Sequence, residues 1–367
     1  MVHAVVTGGG TSGHVVPAQA ILEALREAGH DASTLRYVGS RRGMETTLMA
    51  DSGVESVFLP VSGLQRSLSP TALARNLAFL WRLARSRVMA GRLVRSWSPG
   101  VVVSVGGYAS APMSMAAVRA GVPLVCVSYD RAAGLATRRQ ARHAVATAVA
   151  FADTDLPRAV HTGAPVRSVM RHLDVARERG AARRRLGVPE DAVCLTVMGG
   201  SLGSKVLNDS VGALVEACAA TPNLAVVHIC GARNIDDPAP VVPAGVHYVR
   251  CGYVTAMQDV YAATDVMVCR AGASTVAEVA TVGVAAVLVP WQGASEDHQS
   301  RNAAWLGDNG AAVVIAESRW ARSEALETVA GLVGDPTRRE QLATAARRLG
   351  ALHRGDSLVA VIENASR

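Results

Sequence analysis

The densest group of residues that could do chemistry lies at 269–278, which reads Cys-Arg-Ala-Gly-Ala-Ser-Thr-Val-Ala-Glu. A strand-like apolar run ends at Cys269, and a helix is predicted to begin near Ser274, capped by Ser274 or Thr275. The free N–H groups of such a helix start can bind a diphosphate, and Glu278 can accept hydrogen bonds from a ribose diol. Taken alone, the segment could also be an ordinary capped helix in which Glu278 interacts with the helix dipole.

A polar loop at 290–302 follows the next predicted strand and enters another helix. Open parallel sheets bind ligands at the carboxyl ends of their strands, which is where this loop is predicted to lie. Gln299 offers both a donor and an acceptor, which suits sugar hydroxyls. Without neighbouring signals the loop would be read as ordinary surface.

Two glycine-rich turns occupy equivalent places in the two halves of the chain. The first, at 7–14, reads Thr-Gly-Gly-Gly-Thr-Ser-Gly-His, and the second, at 199–204, reads Gly-Gly-Ser-Leu-Gly-Ser. Each joins a predicted strand to a helix and could hold an anion on its backbone N–H groups. One such turn is weak evidence, but the pair indicates twin nucleotide-type domains facing each other across a cleft.

The elements that must position these turns alternate between strand and helix along the whole chain. Strands are predicted at 3–6, 34–38, 56–59, 101–105, 123–127, 144–148, 193–198, 224–229, 246–248, 266–269 and 286–289, and helices include 16–28, 111–120 and 175–186. Near-continuous apolar strands with helical crossovers predict an α/β fold with parallel sheets covered on both faces. We expect two Rossmann-like domains, 1–165 and 166–350, with a hinge in 161–173 and a C-terminal helix (351–367) that returns to the first domain.

Composition excludes several classes. With 367 residues, half of them apolar, the chain is neither disordered nor small. The six cysteines contain no CxxC pair and are expected to be buried thiols. No signal peptide and no apolar run long enough to span a membrane is recognised. The net charge of +7 suits anionic partners, but 4% aromatic residues and no reader motif argue against nucleic acid.

A dinucleotide-dependent enzyme is one alternative, because Gly8, Gly10 and Gly13 match GxGxxG. That fingerprint expects an acidic residue at the end of the second strand to bind the ribose. Here Arg41 and Arg42 follow that strand and the first acid is Glu45. Among dinucleotide-dependent enzymes, only one that uses NADP would fit these arginines. NADP would then shift the melting temperature of the protein.

Taken together, the motifs resemble those of the MurG family, the N-acetylglucosaminyltransferases that form lipid II in peptidoglycan synthesis. The resemblance spans essentially the whole chain. It rests on the segments at 9–14, 106–108, 162–167, 199–203, 269–278 and 296–302, which occur in the family's order. It implies the GT-B architecture and transfer from UDP-N-acetylglucosamine to undecaprenyl-pyrophosphoryl-MurNAc-pentapeptide, with no cofactor.

The resemblance also implies a role for each matching residue. In the donor site Glu278 would bind the ribose, Val254 the uracil through its backbone, and Gln299 the sugar. The diphosphate would contact Ser201 and the turn Ala273, Ser274, Thr275 and Val276, with Arg167 also in the nucleotide site. In the first domain the acceptor pyrophosphate would lie on Thr11, Ser12 and Gly13, near Gly107 and Tyr108, with His14 beside the reacting centre.

One stretch departs from the family, which usually has His-Glu-(Gln or Ala)-Asn before a Gly-Leu pair. Here the matching residues are Val127-Ser128-Tyr129-Asp130, ahead of Gly134-Leu135. The family asparagine is therefore Asp130, and Tyr129 stands in the Gln or Ala position. His14 and Asp130 are the two candidates for the base that takes the acceptor proton, while His14 could instead bind phosphate. No DxD or metal-ligand spacing is recognised, so we expect a metal-independent reaction.

The segment Leu64–Arg95 contains seven arginines and no acid. Its apolar residues, Leu73, Leu77, Leu80, Trp81, Leu83 and Val88, are expected to face largely toward the core. The arginines and Trp81 could also contact anionic lipid headgroups, which predicts a peripheral protein on the cytoplasmic face of the membrane. Two functional alternatives remain: a MurG-like transferase with another UDP-sugar and lipid acceptor, and a UDP-sugar-binding protein without transfer.

Overall fold

The computed structural model describes residues 2–9, 12–41, 45–50, 52–61, 70–294, 297–320 and 322–367, and the side chains of residue 12 and residues 70–80 are not described. The chain divides into two compact units, Met1–Ser168 with Gly355–Arg367, and Val169–Arg354. The boundary lies three residues beyond the predicted one.

The first unit is built on a parallel sheet that has seven strands among the described residues, in the order β3-β2-β1-β4-β5-β6-β7. Its strands are Ala4–Thr7 (β1), Leu35–Ser40 (β2), Glu55–Leu59 (β3), Val101–Ser104 (β4), Leu124–Ser128 (β5), Ala146–Val149 (β6) and Ala159–His161 (β7). Its helices are Ser12–Glu27 (α1), Glu45–Ala50 (α2), Pro70–Trp97 (α3), Ala111–Arg119 (α4) and Leu135–Ala141 (α5). β1, β4 and β5 are wholly buried, as expected for a parallel sheet covered on both faces.

The second unit carries a six-stranded parallel sheet within the described residues, in the order β10-β9-β8-β11-β12-β13. Its strands are Val193–Met198 (β8), Leu224–Ile229 (β9), His247–Cys251 (β10), Val266–Cys269 (β11), Ala285–Leu288 (β12) and Val313–Val314 (β13). After Ser168–Arg171 (α6), which crosses the unit boundary, its helices are Val175–Leu186 (α7), Lys205–Ala217 (α8), Met257–Ala263 (α9), Ala273–Val282 (α10), His298–Asp308 (α11), Glu317–Trp320 (α12), Ser323–Gly334 (α13) and Pro336–Leu349 (α14).

Both sheets have the doubly wound strand order in which the first and fourth strands of the unit are neighbours. The last helix, Ser357–Ser366 (α15), packs against β4, β5 and β6 of the first sheet. The cysteines Cys126, Cys194, Cys218, Cys230 and Cys269 are buried free thiols and Cys251 is partly exposed. Each sheet therefore presents one switch point at its carboxyl edge, where a ligand can bind between two diverging loops.

Candidate functional site

The carboxyl edge of the second sheet brings three predicted segments side by side. Met198, Cys269 and Leu288 are in register across β8, β11 and β12, so the loops that follow them leave the sheet as neighbours. These are the glycine loop at 199–203, the turn at 270–272 and the polar loop from residue 290. The sequence holds these segments far apart, and the parallel register places them at one edge.

The helix start at α10 differs from the prediction in its cap. The N-cap is Gly272, with no side-chain capping bond, so the prediction that Ser274 or Thr275 caps the helix is wrong. Ala273, Ser274 and Thr275 form the first turn, whose N–H groups have no partner within a helix. The N–H of Val276 already donates to Gly272 O at 2.9 Å. The first three amides of this helix are therefore the ones that could receive an anion, and the fourth is not.

Glu278 lies one turn into α10 and is partly exposed, not buried. The hydroxyl of Tyr261, from the buried helix α9, donates to Glu278 Oε2 at 2.9 Å. Burial, reinforced by the charge of Glu278, raises the pKa of Tyr261 well above 10, so this hydroxyl stays protonated and donating. Tyr261 positions the carboxylate that the resemblance assigns to the ribose, and the sequence motif did not point to it.

The glycine loop after β8 is held tightly at both ends. A Cβ on Gly199 would lie 2.3 Å from Ser204 N, and one on Gly203, which has φ +75°, would lie 2.1 Å from Cys230 O. Between these anchors Gly200 is exposed and Ser201 is partly exposed. Ser204 caps α8 by accepting from Leu207 N. The loop thus presents Ser201 at the sheet edge on a backbone that only glycine allows.

Arg270 is a site residue that sequence reasoning passed over. Its buried guanidinium donates to Ser204 Oγ at 3.1 and 2.7 Å and to Val289 O at 3.0 Å, and it pairs with Glu317. Glu317 Oε2 in turn accepts from Gln292 N at 3.0 Å. One buried ion pair therefore ties together all three loops of this edge. Its position directly after a strand end was the signal that could have found it.

Gln299 and Val254 lie in segments that follow β12 and β10 at the carboxyl edge of the second sheet. Gln299 is the second residue of α11, and its Oε1 accepts from Trp291 N at 3.0 Å, which leaves its side-chain NH2 group as a donor. Trp291 is half exposed. Val254 lies in the loop between β10 and α9 and is partly exposed. Glu296, part of the same predicted motif, lies outside the described residues.

In the first unit the loops after β1 and β4 meet at the switch point. A Cβ on Gly8 would lie 2.0 Å from Val105 Cγ2, and one on Gly107, which has φ +75°, would lie 2.5 Å from Gly9 O. The same Gly107 position faces the ring of His14, whose Cδ2 would be 3.3 Å away. The ring of His14 therefore lies against the backbone of the Gly106-Gly107 turn. Thr11 lies outside the described residues, as does the side chain of Ser12.

Burial lowers the pKa of His14 below its ordinary value of 6.5, and the negative charge of Asp130 opposes that shift. The two side chains line one cavity of about 180 Å³ with Gly107, Tyr129 and residues 133–137. The guanidinium of Arg131, the sequence neighbour of Asp130, donates to Asp153 Oδ2 at 2.8 and 3.0 Å. The structure thus brings together both candidate bases, with the imidazole favoured in its neutral form at pH 7.

A buried polar network supports the Gly106-Gly107 turn from behind. Gln140 Oε1 accepts from Ser104 Oγ at 2.6 Å and from Ser114 Oγ at 2.8 Å, and Gln140 Nε2 donates to Ser110 Oγ at 2.9 Å. Ser110 Oγ donates to Gly107 O at 2.9 Å. Tyr108, predicted to contact the acceptor, packs partly buried against the core of this unit. The network links α5, which lines the cavity, to the turn beside His14.

Glu45 lies beside the end of β2, where the dinucleotide fingerprint expects an acidic residue that binds the ribose. It begins α2, is buried, and accepts from Ser40 N at 2.5 Å and from Ser40 Oγ at 3.0 Å. A Cβ on Gly9 would lie 2.5 Å from its carboxylate. Glu45 therefore fastens α2 to the end of β2 and fills the space beside Gly9 with protein.

Arg167 belongs to the first unit, whereas the other predicted donor residues belong to the second. Its Nε donates to Glu23 Oε1 on α1 at 2.7 Å, and the second oxygen of Glu23 accepts from Ser168 N at 2.8 Å. This ion pair fixes the end of the first unit onto α1.

The exposed face of α3 differs from the prediction. Ser86, Ala90 and Val94 face the core, whereas Trp81 is 63% exposed and Val88 is 55% exposed. Val88 therefore does not pack inward with the apolar set, and Trp81 has the exposure that the alternative expectation of a lipid contact requires. Leu73, Leu77 and Leu80 lie outside the described side chains. Arg85 lies 5.4 Å from the Trp81 ring centroid. Trp81, Arg85, Val88 and Arg92 are spaced by four, three and four residues, which places them along one exposed stripe.

Other basic residues are used within the second unit. On α7, Arg183 pairs at 2.9 Å with Asp265, which lies between α9 and β11, and Arg185 pairs at 2.6 Å with Asp259 on α9. Among the described residues, no group of three or more His, Cys, Asp or Glu side chains could hold a metal ion. Within the same part of the chain, no helix is long and apolar enough to cross a lipid bilayer.

Comparison with known proteins agrees with this architecture. Residues 4–149 match the glycosyltransferase family 28 N-terminal domain and residues 194–354 match the glycosyltransferase family 28 C-terminal domain. The crystal structure of Acinetobacter baumannii MurG superposes with a TM-score of 0.71 at 25% identity, over 95% of each chain. UDP-GlcNAc 2-epimerase from Neisseria meningitidis, at 12% identity and a TM-score of 0.69, shares the fold. Fold and site together define a two-domain glycosyltransferase of the GT-B class.

Two curated relatives carry the name UDP-N-acetylglucosamine--N-acetylmuramyl-(pentapeptide) pyrophosphoryl-undecaprenol N-acetylglucosamine transferase. The protein from Desulforudis audaxviator is 35% identical over 98% of this chain and 97% of its own. The protein from Paenarthrobacter aurescens is 38% identical over 94% of this chain and 91% of its own. The chain belongs to the MurG family, and the dehydrogenase alternative is set aside.

Proposed function

We propose that this protein transfers N-acetylglucosamine from UDP-N-acetylglucosamine to undecaprenyl-pyrophosphoryl-MurNAc-pentapeptide. The observation that carries the proposal is the full-length similarity to curated transferases of that name. The intact edge of the second sheet supports it, because the glycine loop, the α10 helix start and Glu278 are those that a UDP-sugar requires.

The donor is held by backbone amides and by one positioned carboxylate. The first amides of α10 and the loop carrying Ser201 receive the diphosphate, since a helix N-terminus favours anions. Glu278, oriented by Tyr261, accepts from the ribose hydroxyls. Val254 contacts the uracil through its backbone, and the free amide group of Gln299 reads the sugar.

The reaction is a direct displacement at the anomeric carbon. The acceptor hydroxyl oxygen forms the new bond to C1, the bond from C1 to the phosphate oxygen breaks, and UDP departs with that electron pair, inverting the configuration. The neutral imidazole of His14 takes the hydroxyl proton, as its lowered pKa keeps it unprotonated at pH 7. Thr11, Ser12, Gly13, Gly107 and Tyr108 hold the acceptor pyrophosphate. Helix amides stabilise the leaving diphosphate, so the transfer runs without metal.

The protein works at the cytoplasmic face of the membrane as a peripheral enzyme. The exposed stripe on α3 supports this, because an indole and an aliphatic side chain alternate there with arginines. Such a surface combines apolar insertion with attraction to anionic headgroups. We do not propose nucleic acid as a partner, because only 4% of the residues are aromatic and no reader motif is recognised.

A second candidate is a related transferase with another UDP-sugar or another lipid-linked acceptor. The observation that favours it is the altered stretch 127–130, which lines the cavity beside His14 with Tyr129 and Asp130. The donor edge of the second unit carries no comparable departure from the family's motifs. An altered acceptor is therefore the more specific form of this alternative.

Purified protein incubated with radiolabelled UDP-sugars and a short-chain lipid I analogue tests the proposal. Transfer of N-acetylglucosamine to the analogue, undiminished in excess EDTA, is the expected result. Product only with another sugar or another polyprenyl acceptor would establish the second candidate. Binding of UDP-N-acetylglucosamine without any product would make the protein a non-catalytic sugar-nucleotide binder.

A further inference from the structure

Helix α1 contains a proline in its second turn, and this creates a local defect beside the catalytic candidate. In a regular α-helix the N–H of residue 17 would donate to the carbonyl of Gly13. Pro17 has no N–H, so the Gly13 carbonyl loses its helical donor. Gly13 is the residue directly before His14.

A donor from another strand takes over that carbonyl. The hydroxyl of Tyr129, one residue beyond β5, lies 2.8 Å from Gly13 O and 3.3 Å from Val105 O at the end of β4. The Tyr129 side chain is 7% exposed. Burial and the adjacent Asp130 raise the pKa of Tyr129 well above 10, so the hydroxyl remains a donor at any working pH. One side chain therefore joins α1, β4 and β5 at the switch point.

The same side chain touches His14 directly. The two rings meet edge to face with centroids 6.3 Å apart and an interplanar angle of 69°. On its other side the imidazole faces the Gly106-Gly107 turn. The position of His14 is therefore set by a glycine turn on one side and by Tyr129 on the other.

We propose that Tyr129 is a positioning residue for His14, which replaces the helical hydrogen bond that Pro17 removes and so holds the imidazole in its place in the cavity. The inference rests on the proposed function only for its catalytic consequence. It gives a physical role to the departure at residue 129, where the family has Gln or Ala: Ala has no donor for the Gly13 carbonyl, and neither residue supplies an aromatic ring against His14. A displaced His14 imidazole would lower the rate, because reacting groups must be held in near-attack geometry.

A double-mutant cycle between Tyr129 and Pro17 tests the proposal on the full-length protein. Tyr129→Phe removes only the hydroxyl, and Pro17→Ala restores the N–H that can donate to Gly13 O. We expect Tyr129→Phe to lower the urea midpoint of unfolding in the wild-type background and to have less than half that effect in the Pro17→Ala background. The His14 imidazole is assigned in NMR spectra with a His14→Gln variant. Its pKa should lie closer to 6.5 in Tyr129→Phe than in the wild type, and should return to the wild-type value in the double variant.

The catalytic test compares the effect of each substitution on kcat with its effect on KM. Tyr129→Phe should lower kcat by about 3- to 30-fold while leaving the KM for UDP-N-acetylglucosamine within about twofold, and Pro17→Ala should restore most of kcat. Tyr248→Phe is the matched control, because it removes a tyrosine hydroxyl that contacts His228 in the second unit. Its kcat should stay unchanged.

Equal effects of Tyr129→Phe in the two backgrounds, or a His14 titration that does not move, would overturn the inference. Stability and NMR titration need no substrate, so they decide the role of Tyr129 even if the transfer assay fails. Failure of transfer with an intact coupling between residues 17 and 129 would instead count against the proposed function alone.

Discussion

The hydroxyl of Tyr261 donates to Glu278 Oε2 across the contact between α9 and α10, at 2.9 Å. Tyr261 is buried and Glu278 is partly exposed, so the bond fixes an accessible carboxylate from the protein side. One oxygen of Glu278 is thereby oriented by Tyr261, and the carboxylate remains partly accessible at the edge of the sheet. The contributions of Tyr261 and Glu278 to ligand binding can therefore be measured with separate substitutions.

Glu278→Ala is expected to weaken UDP binding by about 10- to 150-fold, because a charged hydrogen bond typically contributes about 1.5–3 kcal/mol. Tyr261→Phe should weaken it less, by about 2- to 12-fold, since it removes one neutral donor and leaves the carboxylate. Calorimetric titration with UDP measures both, with the exposed Glu216→Ala on α8 as control. An unchanged dissociation constant in a folded Glu278→Ala protein would contradict the ribose assignment.

Arg270→Met is expected to destabilise the second unit by about 3–5 kcal/mol, because it leaves the carboxylate of Glu317 buried without its guanidinium. Arg270→Met/Glu317→Gln should recover part of that loss. The exposed pair Arg319–Glu324, at 3.1 Å, is the control, and Arg319→Ala should cost less than about 1 kcal/mol. Urea unfolding measures the series. Equal effects of the two arginine substitutions would refute the role given to Arg270.

Asp130→Asn restores the family residue, and we expect turnover to be unchanged or higher with UDP binding intact. Since Asp130 raises the pKa of His14, its removal should lower that pKa further. With His14 as the proposed base, activity needs its neutral form, so the acid limb of kcat/KM is expected below pH 6.5 and should move to lower pH in the variant. A pH–rate profile measures it. A loss of about 10²–10⁴ in turnover would instead identify Asp130 as the base.

Trp81→Ala/Arg85→Ala is expected to reduce binding to vesicles that contain anionic phosphatidylglycerol. The two residues are neighbours on the exposed stripe of α3, and each basic residue near such a surface contributes about 1 kcal/mol, or about fivefold. Flotation at low and high salt measures the loss, with the exposed Arg177→Ala on α7 as control. Equal flotation with neutral phosphatidylcholine vesicles would argue against electrostatic recruitment.

His228, buried in β9, makes the second unit sensitive to acid. Its Nδ1 lies 2.8 Å from Tyr248 Oη and its Nε2 lies 3.0 Å from Asn208 Oδ1. Burial, with Arg250 nearby, lowers the pKa of His228 to about 4. In the unfolded chain His228 has a pKa near 6.5, so between about pH 4 and about pH 6.5 the unfolded chain binds more protons than the folded protein. The stability that depends on neutral His228 is fully present above about pH 6.5 and falls as pH drops toward 4.

His228→Gln should remove this contribution, which amounts to about 3 kcal/mol over the window. The measurement is the difference in unfolding free energy between wild type and variant at about pH 7 and about pH 4.5, which cancels the titration of other groups. His247→Gln, on the exposed end of β10, is the control. A wild-type-minus-variant difference that does not change with pH would show that His228 is not held neutral.

Much of the architecture was predictable because parallel strands are strongly apolar. The predicted strands 193–198, 224–229 and 266–269 match β8, β9 and β11 to the residue, and helix α7 likewise. β7 and β13 were missed, since strands of three and two residues carry no periodic signal. The helix predicted at 16–28 begins earlier, at Ser12, because the first turn of α1 is formed by polar and glycine residues that carry no apolar periodicity.

The chain by itself determined the alternation of elements, the two glycine turns and the family, because these depend on local periodicity and on residue types at fixed spacing. It also named Glu278, Gln299 and His14 as candidate site residues, and their roles stay predictions. Tertiary structure alone decided which groups meet. Tyr261 reaches Glu278, Arg270 joins three loops, and Tyr129 replaces the bond that Pro17 removes. Such contacts join residues 17 to 116 positions apart. They depend on strand order and register, which no local pattern encodes.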